Sequence, residues 1–181
     1  METAVTTKWV IDPTHSEVSF KIKHLVISTV TGYFREFDGS ITTEGEDWEG
    51  AEAEFRAKID SVDTNQAQRD GHLKSDDFFN AEQYPYLSFK STKVEKIDDE
   101  HYKMIGDLTI RDVTKPVEMD VLYIGTADDF YGNHKAGFEI NGIINRHDFG
   151  LKWNAITEAG KVVASSDVRL NLNIQVAKQQ G

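Results

Sequence analysis

The sequence predicts an all-β protein of one domain, residues 1–181, in which about eight long antiparallel strands close into a barrel and one short helical segment interrupts them. Three observations lead there. Apolar and polar residues alternate with period 2 along most of the chain. Short turn signals separate the alternating stretches, so that neighbours can pair as hairpins. The longest stretches outrun the five or six residues of an ordinary strand.

The first alternation sets Val18, Phe20 and Ile22 against Ser19, Lys21 and Lys23, and a second runs over 33–41. Between 51 and 60, Ala51, Ala53, Phe55, Ala57 and Ile59 form one face while Glu52, Glu54, Arg56, Lys58 and Asp60 form the other, which is a strand with one wet side. The stretch 63–84 has no such rhythm. It opens on the cap-competent Asp63, Thr64 and Asn65, continues into Gln66-Ala67-Gln68-Arg69-Asp70, and reads as one short helix with a second helical turn from Ser75, ended by Pro85. Alternation resumes over 87–93, 102–110, 117–124 and 136–144, and ends with Val168, Leu170, Leu172, Ile174 and Val176 against Asp167, Arg169, Asn171, Asn173 and Gln175. Turn signals lie at 44–47, 98–100 and 125–133.

Strands with one apolar face must bury it in a sandwich or a closed barrel, and their length favours the barrel. Its interior faces combine small residues (Ala51, Ala53, Ala57, Gly106, Ala136, Gly142) with Phe55, Met104, Leu108 and Phe138. Small inward residues leave room for a ligand. Large residues from facing strands can equally fill the gaps, and side-chain size alone leaves both outcomes open.

Composition narrows the function. Twenty Lys and Arg against 31 Asp and Glu give a formal charge of −11, which repels phosphate backbones and anionic lipid surfaces, so no nucleic-acid partner and no stable membrane insertion are expected. The first residues carry neither a basic region nor an apolar stretch, so the expected location is cytoplasmic if this is the full gene product, and periplasmic if a signal peptide has been removed. There is no cysteine, and the six histidines form neither HExxH nor HxH. No GxSxG elbow, GxGxxG or Walker loop is present, so neither a cofactor nor an enzyme is expected. The alternative from another class is a small hydrolase or isomerase inside the barrel, with His24, His72 and Asp70 as acid or base. The composition of 63–84, which joins Arg69, Asp70 and His72 to Leu73, Phe78 and Phe79, fits a lid over a barrel mouth; the plainer reading is a plug held by an Arg–Asp pair. For 144–151 the plainer reading is an Arg146 to Asp148 pair that fixes the turn.

Five separate motifs make the chain resemble the YceI-like polyisoprenoid-binding family: Asp12-x-x-His15-Ser16-x-Val18-x-Phe20-x-Ile22-x-His24-Leu25, Arg69-Asp70-Gly71-His72-Leu73-Lys74-Ser75-x-x-Phe78-Phe79, Tyr84-Pro85, Gly106-Asp107-Leu108-Thr109-Ile110-x-x-Val113-Thr114-Lys115-Pro116 and Ile144-Asn145-Arg146-x-Asp148-Phe149-Gly150. The resemblance spans nearly the whole chain. It implies an extended lipocalin-like barrel of eight antiparallel strands that holds a long isoprenoid or similar amphiphile, of quinone or prenyl diphosphate type, without known catalysis. Carriage, storage or sequestration follows as the expected role, and a homodimer is compatible with it. On this reading Phe20, Ile22, Phe34, Phe55, Phe89, Leu108, Phe138 and Ile140 line the interior. Gly142 leaves space for the ligand's tail, His24, Arg69 and Arg146 stand near a mouth, and His72, Phe78 and Phe79 belong to the lid. Two positions depart from the family pattern. Asp112 stands where glycine is more usual, in a turn expected to need a left-handed residue, and His147 stands where serine is common.

Overall fold

Period-2 burial follows the sequence pattern in the computed structural model, which describes residues 6–24, 27–45, 47–76, 78–151 and 164–179. In 51–60 the odd positions are buried or half-buried; the even ones are exposed except Lys58, which is half-buried. The strands are β1 (Thr6–Ile11), β2 (Glu17–His24), β3 (Ser28–Phe34), β4 (Phe37–Glu44), β5 (Glu52–Lys58), β6 (Val62–Asp63), β7 (Tyr86–Lys96), β8 (His101–Ile110), β9 (Val113–Asp128), β10 (His134–Asn145) and β11 (Ala164–Lys178). One helix, α1 (Ala67–Lys74), lies between β6 and β7.

All the pairings are antiparallel, in the order β1-β4-β5-β7-β8-β9-β10-β11, and β11 pairs back onto β1 to close an eight-membered ring. The same edge of β11 that meets β1 at Val176–Lys178 meets β2 further back, from Asn173 to Ala164. The sheet then continues through β3 to β6. Eleven segments therefore follow eight paths, because three neighbouring strands break side by side: β1/β2 at residues 12–16, β3/β4 at 35–36 and β5/β6 at 59–61. The breaks are stitched together by Asp12 N–H to Gln175 O, Arg35 N–H to Ser61 O and Lys58 N–H to Glu36 O. The 33–41 stretch expected as one strand is two, and the inward parity changes across the break, from Phe34 before it to Phe37, Gly39 and Ile41 after it. Strand β1 escaped the pattern altogether, since Trp9-Val10-Ile11 is an apolar run rather than an alternation.

Two further boundaries differ from expectation. The 125–133 turn is confined to 129–133, and β9 reaches Asp128 by absorbing a bulge at Ile124 and Gly125 opposite Gly137. No second helix begins at Ser75; its carbonyl instead accepts from the N–H groups of Phe78 and Asn80, and Asn80 takes a left-handed φ of 51° that ends any helical path.

The β1/β2 break is pinned by charge. Asp12 accepts from Thr14 N–H at 3.0 Å and Thr14 Oγ1 at 2.6 Å, while its second oxygen lies 2.8 Å from His15 Nδ1 and 2.7 Å from Lys135 Nζ. Lys135 reaches Asp129 as well, at 3.4 Å. The lysine, the threonine and the histidine together hold the Asp12 carboxyl well below the usual carboxylate range.

Cross-strand partners fill the interior at its glycines. The Phe20 ring lies over Gly32, the Phe89 ring over Gly106, and the Met119 thioether over Gly142, where an added Cβ would meet the sulfur at 2.5 Å. The space above Gly142 is thus taken by Met119 and not left for a tail, because the methionine on the facing strand is long enough to reach across it.

Two outcomes follow. A carboxylate whose folded pKa is depressed contributes stability above its unfolded pKa and loses it as pH falls toward the folded value, so Asp12→Asn should leave a constant stability deficit above about pH 5 that shrinks below about pH 4. Denaturant melts across that range check it, and parallel acid limbs for the two proteins would remove Asp12 from the clamp. Gly106→Ala should cost about 1–3 kcal/mol, more than Gly142→Ala, since the new methyl at 106 runs into the Lys90 carbonyl as well as a ring, whereas at 142 the nearest atom belongs to a flexible methionine. An equal cost in the two melts would contradict this.

Candidate functional site

Two adjoining cavities run along the barrel axis and share Phe20, Phe34, Leu87, Ile110, Ile144 and Leu170 as common walls. The narrow one, about 150 Å³, occupies the end of the ring where β1 starts and β11 stops; the wide one, about 600 Å³, opens at the opposite end beneath α1. Phe55, Phe89, Leu108, Phe138 and Ile140 line the narrow cavity. Ile22, Arg69, His72, Phe78, Phe79 and Arg146 line the wide one. Among the residues singled out from the sequence, Gly142 lines neither, and the side chain of His24, at the end of β2, lies outside the described residues.

Among the described residues β6 pairs only with β3 and no strand continues the sheet from it toward the β8–β9 turn, and the helix sits at this end. The segment from Thr64 to Ala81 spans that gap. Gln68, Arg69, His72 and Leu73 recur at helical spacing and turn one face of α1 to the cavity. The expected caps do not cap. Gln66 is the N-cap residue and makes no side-chain cap bond, while Thr64, 3% exposed, is clasped by the helix it precedes. Asp70 accepts from Thr64 N–H at 2.8 Å and Oγ1 at 2.5 Å; Arg69 donates to Thr64 Oγ1 at 2.8 Å and to its carbonyl at 2.6 Å. Both charges thus grip a threonine in place of the expected Arg–Asp pair.

The other end of the segment is latched from the barrel. Arg111 donates to the carbonyls of Asp76 and Phe78, at 3.0 and 3.1 Å, and to the Asp76 carboxylate at 2.9 Å. It occupies the two-residue turn between Ile110 and Val113 with φ 56°, so the left-handed residue of that turn is Arg111 and not Asp112. A non-glycine residue in that conformation is strained, and the guanidinium's three bonds to the lid account for its being there. Phe79 meets Phe34 of β3 edge-on at 6.0 Å, which fastens the lid's apolar side to the cavity wall, while within the lid His72 meets Phe78 edge-on at 5.2 Å.

Arg146 is 2% exposed and donates to the carbonyls of Ser165 and Leu151, both at 2.8 Å, so it ties the β10–β11 connection rather than pairing with the exposed Asp148. Burial pushes its guanidinium below the usual arginine value. Of the acid–base set of the enzyme alternative, Asp70 is engaged by Thr64 and His72 lies two residues along the helix, on a different face, while the His24 side chain lies outside the described residues. Among the described residues no three of His, Asp and Glu converge as metal ligands, and no helix is long and apolar enough to cross a membrane.

Sequence reasoning missed Trp48, Tyr102, Met119 and Leu172 as lining residues. Trp48 carried a readable signal, since a large apolar side chain within a polar turn needs a burial site.

A model of the YceI-like domain matches residues 9–176. Protein YceI of Escherichia coli O157:H7 is 40% identical over 166 residues, covering 92% of this chain and 83% of that protein. A UPF0312 protein of Pectobacterium carotovorum is 39% identical over the same shares of the two chains. Among solved structures, the Campylobacter jejuni YCEI protein superposes with a TM-score of 0.74 at 36% identity, covering 99% of each chain. A domain from Saccharophagus degradans, described as polyisoprenoid binding, shares the fold with a TM-score of 0.65 at 17% identity, covering 98% of this chain and all of that one.

Arg111→Ala should loosen the lid without opening the barrel. Hydrogen exchange at the Phe79, Asn80 and Ala81 amides should quicken about tenfold or more while the β9 and β10 amides hold their protection. Uniform loss of protection would make Arg111 a general stability residue instead of a latch.

Proposed function

The chain belongs to the YceI-like family, and on that premise we propose that it binds a long-chain polyisoprenoid or similar amphiphilic lipid inside the barrel, for carriage, storage or sequestration. The observation that carries this reading is the pair of adjoining cavities: an apolar path down the barrel that begins at a polar mouth. Each CH₂ buried along such a path contributes about 0.8 kcal/mol, so a long tail gains tight binding with no charged contact. The fold shared with the polyisoprenoid-binding domain of Saccharophagus degradans supports the same ligand class.

The mouth suits the other end of an amphiphile. Lys23, Gln66, Gln68 and Arg69 stand around the wide cavity, and Arg69 Nη1 has no partner among the described residues once Thr64 has taken Nε and Nη2. Such a rim matches an electronegative headgroup, of quinone or prenyl diphosphate type, above a tail that fills the interior.

Mass spectrometry of an organic extract of the purified protein tests the proposal. A prenyl lipid recovered at near-unit stoichiometry is the expected result, and delipidated protein should take up an added prenyl lipid again. Protein that carries none and takes up none would overturn the reading.

A further inference from the structure

The narrow cavity ends against aromatic side chains that its apolar character alone does not require. Trp48, 8% exposed, lines the cavity and packs against Trp9 at 5.0 Å, Phe138 at 4.9 Å and Tyr123 at 5.8 Å between ring centroids. Behind it, Trp9 rests on His134 at 5.7 Å, and His134 is held by Asp128 at 2.8 Å. The turn that carries Trp48 is laced to β7: Gly50 N–H donates to Val94 O, and Glu49 accepts from Lys96 N–H. The indole is therefore fixed from behind and from its own backbone, and a close-packed wall of this kind does not yield to a ligand pressing on it.

We propose that Trp48 is the stop against which the far end of the ligand's tail rests, so that its indole sets the longest prenyl chain the barrel accepts. The inference builds on the lipid-binding reading and adds the residue that measures the tail. The cavity beside Trp48 is about 150 Å³, which is room for a group the size of a benzene ring and not for several further isoprene units. The wide cavity opens at the far end of the barrel, beneath α1, so a tail entering there reaches Trp48 last. A chain longer than the path must leave carbons in water or displace packed rings, and both reduce its binding.

Delipidated protein is loaded with an equimolar ladder of linear prenyl alcohols, each one isoprene unit longer than the last, and the lengths retained are read by native mass spectrometry. Wild type should show an upper cut-off. Trp48→Ala should move that cut-off to longer chains by about one to two isoprene units, the rough size of the indole removed, and Trp48→Phe should fall between. Ile143→Ala, on the exposed face of β10 and outside both cavities, should leave the cut-off where it is. If Trp48→Ala does not fold, Trp48→Phe and Trp48→Leu, checked by their melting curves, carry the same comparison. An unmoved cut-off in folded variants that still retain prenyl alcohols overturns the stop, whereas a wild type that retains no prenyl alcohol at all overturns the lipid-binding reading itself.

Discussion

One edge of β11 holds two strands, β1 near its end and β2 along the rest, and the remainder of the architecture depends on that shared edge. A single unbroken strand there would carry the sheet around at one pitch. The break at residues 12–16 lets the chain close an eight-membered ring through β1 while β2, β3 and β6 continue the sheet from the same edge of β11. Closure removes the exposed edges of the ring, where unpaired N–H and C=O groups invite aggregation. The Asp12–Lys135 pair sits at the break, joining it to β10 across the intervening β11.

The sheet ends at β6, and the lid lies beyond that end. With β6 paired only to β3, the chain crosses to the β8–β9 turn as a helix and a turn, anchored by Thr64 at the start and Arg111 at the end. Arg111 combines strain with attachment: a left-handed arginine is costly, and three bonds to residues 76 and 78 offset that cost only while the lid is seated. Segments held by a few localised anchors open before the strands they cover, which is the property a ligand-admitting lid requires.

The interior is polarised along its axis. Methionine and phenylalanine side chains cover inward glycines, and the space that remains gathers into two adjoining, largely apolar cavities. Polar and cationic groups gather at the wide end, and stacked aromatic rings at the narrow end. A molecule with one polar end and a long hydrocarbon tail has the same asymmetry.

The sequence by itself determined which face of each long strand is wet, as at 51–60 and 168–176, because period 2 is a local property that survives whatever strand pairs alongside. It also marked the irregular segment before β7 as one short helix, and its motifs carried the family. Other features were decided only in three dimensions. That β1 closes the ring depends on Val176–Lys178, more than 160 residues away in the chain. That Gly142 lies under Met119, that Thr64 is clasped by Arg69 and Asp70, and that Arg111 takes the left-handed turn position all depend on what the folded chain sets beside each residue. Alternation records direction and not distance, so it could say which side chains point inward but not how much room they would leave between them.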